Sequence, residues 1–375
     1  MNKNPEISDS TGLGGEWYSR SGPLSDVVLS TRVRLARNLA DFPFPAHFKA
    51  DDAVRVQTLV FDAFMKSERA DSYQALPVAG IDSLSAGLLI ERGLIQTSTL
   101  NAPGGGLVMR INGRKANSGL ACTINDEDHV RISCFCSGLD CDRAYKNCQE
   151  VDELLQKSLQ FAASYDFGYL TANVKDCGSG IKFSARVHLP AMAFLGEIGD
   201  FFESIALKGM VAEPAFPPFS KTGAGTGGFY QLSSNQAGTG NEVEQMVNFT
   251  AVLRQASDSE RKSRNSLIQK RTTEITDRIV KAFSVAKFSL LLDMREALMI
   301  ISDIKLGKAM GLLRGIDDEA ITPLIYRVQD SHLKTVIKNG SFAFPQDIAE
   351  NTQKQADRLR ALIIQDAFEN LELIK

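Results

Sequence analysis

Three segments of the chain carry charge at every second residue, the period of a β-strand. In Val28–Leu35 the alternation sets Ser30, Arg32 and Arg34 on one face and Leu29, Thr31, Val33 and Leu35 on the other. In Asn125–Cys136 the same parity groups Glu127, His129 and Arg131 and opposes Val130, Ile132, Cys134 and Cys136. In Ile181–Leu189 it groups Lys182, Ser184, Arg186 and His188 against Ile181, Phe183, Ala185, Val187 and Leu189. One such strand alone is consistent with a solvated outer face, since antiparallel sheets commonly wet one side. Three in one sheet would bring Arg32, Arg34, Arg131, Lys182 and Arg186 together beside the carboxylate of Glu127, and like charges gathered so closely require an anion. A nucleoside triphosphate suits that surface, because guanidinium groups bind phosphate oxygens through bidentate, charge-assisted hydrogen bonds. The P-loop pattern G-x-x-x-x-G-K-[ST] is absent from the sequence, and the glycines of 223–228 alone are a weak phosphate signal, so the arginines would do the holding.

The elements that must position these residues fall into two parts. The chain has 375 residues, 43% hydrophobic and 23% charged, which is an ordinary globular composition long enough for two domains. Residues 1–23 are rich in Ser, Gly, Asn and Asp and read as a flexible lead-in, with Trp17 and Tyr18 as anchors. From 24 to 252 short alternating strands, Gly and Pro turns and helices at Asp51–Ser67 and Cys141–Tyr165 predict an α+β or mixed α/β catalytic domain. The Gly-, Pro- and Ser-rich stretch 214–240 reads as a long loop, of the kind that carries function. From 253 to 375 apolar residues recur at helical spacing. A charged helix is expected over Asp258–Lys281, with Pro323 and Pro345 as breaks and Gly340 as a stop.

Lys and Arg number 42 and Asp and Glu 45, a formal charge of −3, which argues against nucleic-acid or polybasic membrane partners. No apolar run approaches the roughly 20 residues of a membrane span, and the first residues lack a secretory leader's apolar core. A cytoplasmic location is therefore expected, with the six cysteines as free thiols. Their spacing between Cys134 and Cys148 fits no common zinc pattern, so no metal site is assigned to protein side chains.

Segments 25–38 (Ser-Asp-Val-Val-Leu-Ser-Thr-Arg-Val-Arg-Leu-Ala-Arg-Asn), Phe42-Pro-Phe-Pro45, Asn125–Ile132, and Gly178-Ser-Gly180 leading to His188-Leu-Pro190 resemble those of the ATP:guanidino phosphotransferases. Within that family the chain is most similar to the bacterial protein-arginine kinases, which have no separate N-terminal helical domain and carry a helical C-terminal one. The resemblance spans about residues 17–375. It implies an α+β fold, an antiparallel sheet flanked by helices, followed by an α-helical C-terminal domain. It implies ATP with Mg²⁺, a protein substrate with an exposed arginine, an activator or protease-adaptor partner, and a homodimer. Glu127 matches the family's catalytic glutamate. The nucleotide positions fall on Ser30, Thr31, Arg32, Val33 and Arg34, on Arg131, and on Lys182, Phe183, Ser184, Ala185 and Arg186.

The departures are as specific as the matches. Gly93 stands where the family has a nucleotide-contacting histidine, and Asn173 where it has a reactive cysteine, with Cys177 four residues on. Lys182 replaces a phosphate-binding arginine, keeping charge and losing the bidentate fork. The family's loop Arg-Gly-x-x-Gly-Glu corresponds to Ala212–Thr222, which holds Glu213 and Lys221 but no arginine. The paired arginines of the family's phosphoarginine-sensing segment find no clear match in Asn351–Ala356. These absences support an alternative function, a regulatory or scaffold protein that has kept the fold and lost transfer.

Overall fold

The computed structural model describes residues 17–112, 115–216, 225–235 and 241–374. Strands β1 (Val28–Arg37), β2 (Tyr73–Pro77), β3 (Gly106–Asn112), β4 (Lys115–Ile124), β5 (Val130–Ser137), β8 (Ile181–His188), β9 (Met210–Pro214) and β10 (Phe229–Ser234) form one antiparallel sheet. The short pairs β6 (Ala163–Ser164) with β7 (Gly168–Tyr169), and β11 (Leu313–Arg314) with β12 (Glu372–Leu373), stand apart from it. The spatial order is β2-β3-β4-β5-β1-β8-β10-β9, so the first strand in sequence lies in the middle. All three charge-alternating segments are thereby neighbours. Register pairs Arg32 with Phe135 on one side and Ser184 on the other, and Arg34 with Ser133 and Lys182.

The helices are α1 (Ala50–Met65), α2 (Ser83–Glu91), α3 (Thr97–Asn101), α4 (Cys141–Gln156), α5 (Pro190–Leu195), α6 (Ile198–Ala206) and α7 (Glu242–Lys270). They continue with α8 (Thr272–Phe288), α9 (Met294–Ala309), α10 (Asp318–Arg327), α11 (Asp330–Asn339) and α12 (Thr352–Ala367). Val33, Leu35, Ile132, Cys134, Phe183 and Val187 point to one face of the sheet. There they join Val56 and Val60 of α1, Cys148 and Val151 of α4, and Phe249 and Val252 of α7 in a single core. Roughly 1.5–3 kcal/mol per large side chain removed from water makes that face the stable one. The arginines are thus left to the other.

A second core fills the helical part. Its centre is α9, buried along nearly its whole length, with Leu298, Ile301 and Ile304 against Ile279, Leu324, Leu359 and Ile363 of the surrounding helices. The polar residues of α9 are buried because each has a partner: Asp303 accepts from Arg278 at 2.8 Å, and Lys305 donates to the Ser25 carbonyl at 2.9 Å. The charged helix expected over 258–281 is in fact two, parted at Arg271, whose φ of −137° leaves the helical region. Pro323 lies inside α10 rather than breaking it, at the cost of one backbone hydrogen bond. Among the described residues no helix is long and apolar enough to cross a membrane. Five of the six cysteines are buried free thiols, and Cys177 is half-buried.

Candidate active site

The face of β5-β1-β8 turned away from the main core holds the cations that the alternation placed there. Arg32 is half-buried, and its Nε donates to Ser184 Oγ at 3.0 Å while its guanidinium lies 5.6 Å from the centre of the Phe135 ring. Burial, followed by the repulsion of Arg34, Arg186 and Arg131, pulls the Arg32 guanidinium down to about 10. Arg34 is likewise lowered, by burial and by Arg131, although its Nη2 meets Asp176 at 3.1 Å. Its Nε is buried without a hydrogen-bond partner. Lys182 is lowered too, by burial and then by Arg34. Arg186 reaches Tyr326 of α10, Nη1 to hydroxyl 3.4 Å, with the Phe216 ring centre at 5.1 Å. An unpaired buried donor and cations that depress one another describe a surface short of negative charge. A polyphosphate would supply it.

Arg131 is different, because three acids surround it. Its Nε meets Asp128 at 3.2 Å, its Nη1 lies 3.6 Å from Asp126, and its Nη2 pairs with Glu127. Burial works against that charge, but Asp128 and Glu127 hold it above the ordinary arginine value. Asp128 is wholly buried and also accepts from Asn38 Nδ2 and the Ala172 amide, both at 2.8 Å. Glu127 is the open member, with 59% of its side chain exposed. A carboxylate fixed through Arg131 yet facing solvent can orient an incoming cation and accept a proton from it.

The parity reading of 125–136 fails ahead of the strand. Strand β5 starts at Val130, so Glu127 and His129 belong to the preceding turn, where Asn125 takes a φ of +54°. His129 is buried under the stacked ring of Phe48. Its Nδ1 accepts from the Leu39 amide at 2.9 Å, so Nε2 carries the proton and donates to the Pro43 carbonyl. Glu127 rejoins Arg131 through the turn and not through alternation. His188 keeps the parity of Arg186 but is covered by α9, with Nε2 on Ser302 Oγ at 2.8 Å. Burial and the charges of Lys305, Arg264 and Arg278 hold it well below the usual histidine range.

The remaining expected positions divide by face. Ser30 and Ser184 lie on the arginine side, whereas the side chains of Thr31, Val33, Phe183 and Ala185 point into the core, Thr31 Oγ1 donating to the Gly138 carbonyl at 2.6 Å. Gly93 has a φ of +70°, and a Cβ there would meet the Phe135 ring at 3.7 Å, which places this position beside Arg32. Asn173 caps the turn 174–176, its side chain accepting from the Lys175 amide. Cys177 Sγ lies 3.4 Å from Thr171 Oγ1. Glu213 reaches the sheet edge on the register of Gln231 and Arg186, and Lys221 lies outside the described residues. Sequence reasoning missed Asp176, the partner of Arg34, whereas Trp17, expected as an anchor, stacks on Phe135 at 5.3 Å. Asp176 precedes the Gly178-Ser-Gly180 turn by two residues, a placement that could have drawn attention to it.

Residues 55–263 match the model of the ATP:guanido phosphotransferase C-terminal catalytic domain, and residues 272–374 match that of the protein-arginine kinase McsB C-terminal domain. The chain belongs to the ATP:guanido phosphotransferase family.

Among its relatives, a protein-arginine kinase of Syntrophomonas wolfei is 33% identical over 356 residues, covering 93% of both chains. One of Halothermothrix orenii is 31% identical, covering 85% of this chain and 89% of the other. In fold it is similar to the duplicated taurocyamine kinase of Schistosoma mansoni, with a TM-score of 0.55 and 20% identity over 76% of this chain, which spans 41% of that longer one. Lombricine kinase is similar at a TM-score of 0.52 and 15% identity, over 66% of this chain and 72% of that one.

Proposed function

We propose that this chain transfers the γ-phosphoryl group of ATP to the guanidino group of an arginine in a protein. The observation that carries the reading is the convergence of Arg32, Arg34, Lys182 and Arg186 on one sheet face, with Arg131 presenting Glu127 at its border. The cations would bind and align the triphosphate, which is most of what phosphoryl transfer asks of a protein. Ser184 fixes the fork of Arg32. Mg²⁺ would arrive on the nucleotide, held through the phosphate oxygens and neutralising part of their charge.

A guanidinium nitrogen is a poor nucleophile while protonated and delocalised. Glu127 would orient the substrate cation and take the proton as the nitrogen bonds to the γ-phosphorus. The bond from that phosphorus to the bridging oxygen breaks, and ADP keeps the electron pair. Removing a positioned base of this kind costs roughly 10²–10⁴ in rate.

A second reading, a regulatory or scaffold protein without transfer, is favoured by the stretch 212–222, which has no arginine, and by Gly93. Calorimetry with Mg·ATP, followed by phosphorus NMR after incubation with an arginine-rich protein acceptor, separates the two. Binding with an acid-labile phosphoramidate signal is expected. Binding without that signal gives the function to regulation, and absence of binding removes the phosphate cradle as well.

A further inference from the structure

The neighbours of Arg186 differ in kind from those of the other arginines on this face. Arg34 meets Asp176, and Arg131 meets three acids. Arg186 has no carboxylate partner among the described residues. Its guanidinium lies 5.1 Å from the centre of the Phe216 ring and 5.6 Å from that of Tyr326, and its Nη1 donates to the Tyr326 hydroxyl at 3.4 Å. An acid partner would spend the charge that it fixes. Ring faces and a neutral hydroxyl orient a guanidinium and leave its charge for an anion. Burial raises the Tyr326 hydroxyl above the ordinary tyrosine value, so it remains a neutral acceptor at physiological pH.

Tyr326 is itself braced. Its ring stacks on Tyr18 at 4.2 Å and meets Trp17 edge-on at 6.0 Å, and Trp17 stacks on Phe135, the ring that lies against Arg32. The segment bearing Trp17 and Tyr18 is pinned on both sides: Ser137 Oγ of β5 donates to the Trp17 carbonyl, and the Ser21 amide donates to Glu319 of α10 at 3.0 Å. A chain of packed rings thus runs from Arg186 through α10 and the first described residues back to Arg32. We propose that Tyr326 is a positioning residue for nucleotide binding, fixing the fork of Arg186 on the phosphate-binding face, so that the helical part supplies a piece of the site. This rests on the proposed use of ATP and adds a residue that the strand motifs do not contain. A fork held in place before the ligand arrives loses less freedom on binding.

The test is Tyr326→Phe, which keeps the ring and its stack on Tyr18 and removes the hydroxyl. Calorimetry should show the Kd for Mg·ATP rising about fivefold, with the melting temperature of the nucleotide-free protein unchanged. In an Arg186→Gln background the same substitution should leave Kd within about twofold, because the side chain that it orients has gone. An equal loss in both backgrounds, an unchanged Kd or tighter binding by Tyr326→Phe overturns the assignment. Should Arg186→Gln alone abolish binding, weaker binding by Tyr326→Phe at an unchanged melting temperature sustains the assignment, and a loss that comes with a lower melting temperature rejects it. Absence of Mg·ATP binding by the parent protein is a separate failure, which removes the phosphate-binding reading and this inference with it.

Discussion

Glu127 and Asp128 are adjacent in sequence and share one edge of a guanidinium, Asp128 on Nε of Arg131 from inside the protein and Glu127 on Nη2 from the solvent side. The buried acid fixes the arginine and the arginine fixes the exposed acid. Glu127→Gln keeps the volume and the contact with Arg131 but removes the proton acceptor. Phosphoryl transfer should fall by at least about 10², with Mg·ATP affinity within twofold of the parent by calorimetry. Transfer at the parent rate would take the base role from Glu127.

Arg32 sits among cations that its own charge disfavours, an electrostatic load that a bound polyphosphate would relieve. Arg32→Ala should raise the melting temperature without nucleotide and shrink the upward shift that Mg·ATP produces. Differential scanning with and without nucleotide reads both. A lower melting temperature together with an intact ATP shift would mean that Arg32 is structural.

Ser302 on α9 accepts from His188 at the end of β8 and donates to the Gly227 carbonyl at 2.6 Å, tying the helical part to the sheet. Ser302→Ala strands both groups, and each unsatisfied buried partner costs about 1–3 kcal/mol. Urea unfolding should show a loss of about 2–6 kcal/mol for the two groups together. An unchanged midpoint would show that neither bond contributes.

His332 is buried beside α2, where desolvation, then Arg92 and Arg327, push it down to about 4. Its ordinary value is near 6.5, so between pH 6.5 and 4 the unfolded chain binds the proton and the folded one does not. Stability is therefore present above pH 6.5 and lost as pH falls through that window. Glu260, raised to about 7 by burial, works in the opposite sense between 4.5 and 7, so the variant comparison isolates the histidine. The urea midpoint of His332→Asn should fall less between pH 7 and pH 5 than that of the parent. Parallel declines would show that His332 does not titrate in the window.

The period-2 charge of Val28–Leu35 and Ile181–Leu189 was legible because alternation is a local property, and each segment became a strand of that parity. The turn before Val130 was not, since a left-handed Asn125 resets the parity and only the backbone shows it. Asp176 meets Arg34 across 142 residues and Asp128 meets Ala172 across 44, distances at which spacing carries no signal. The split at Arg271 was equally hidden, because the charged residues on either side favour helix throughout. Residue types thus announced the cationic face, while the acids beside it were assembled by topology.

The central place of β1 also sets when the site can exist. Its partners begin at Val130 and Ile181, so a chain leaving the ribosome carries Arg32 and Arg34 through some 150 further residues before the third strand arrives. Contacts so distant in sequence form slowly. The clustered-cation face therefore appears as a late and all-or-none property of synthesis, and a nascent chain cut before residue 181 has made the arginines but not the face on which they meet.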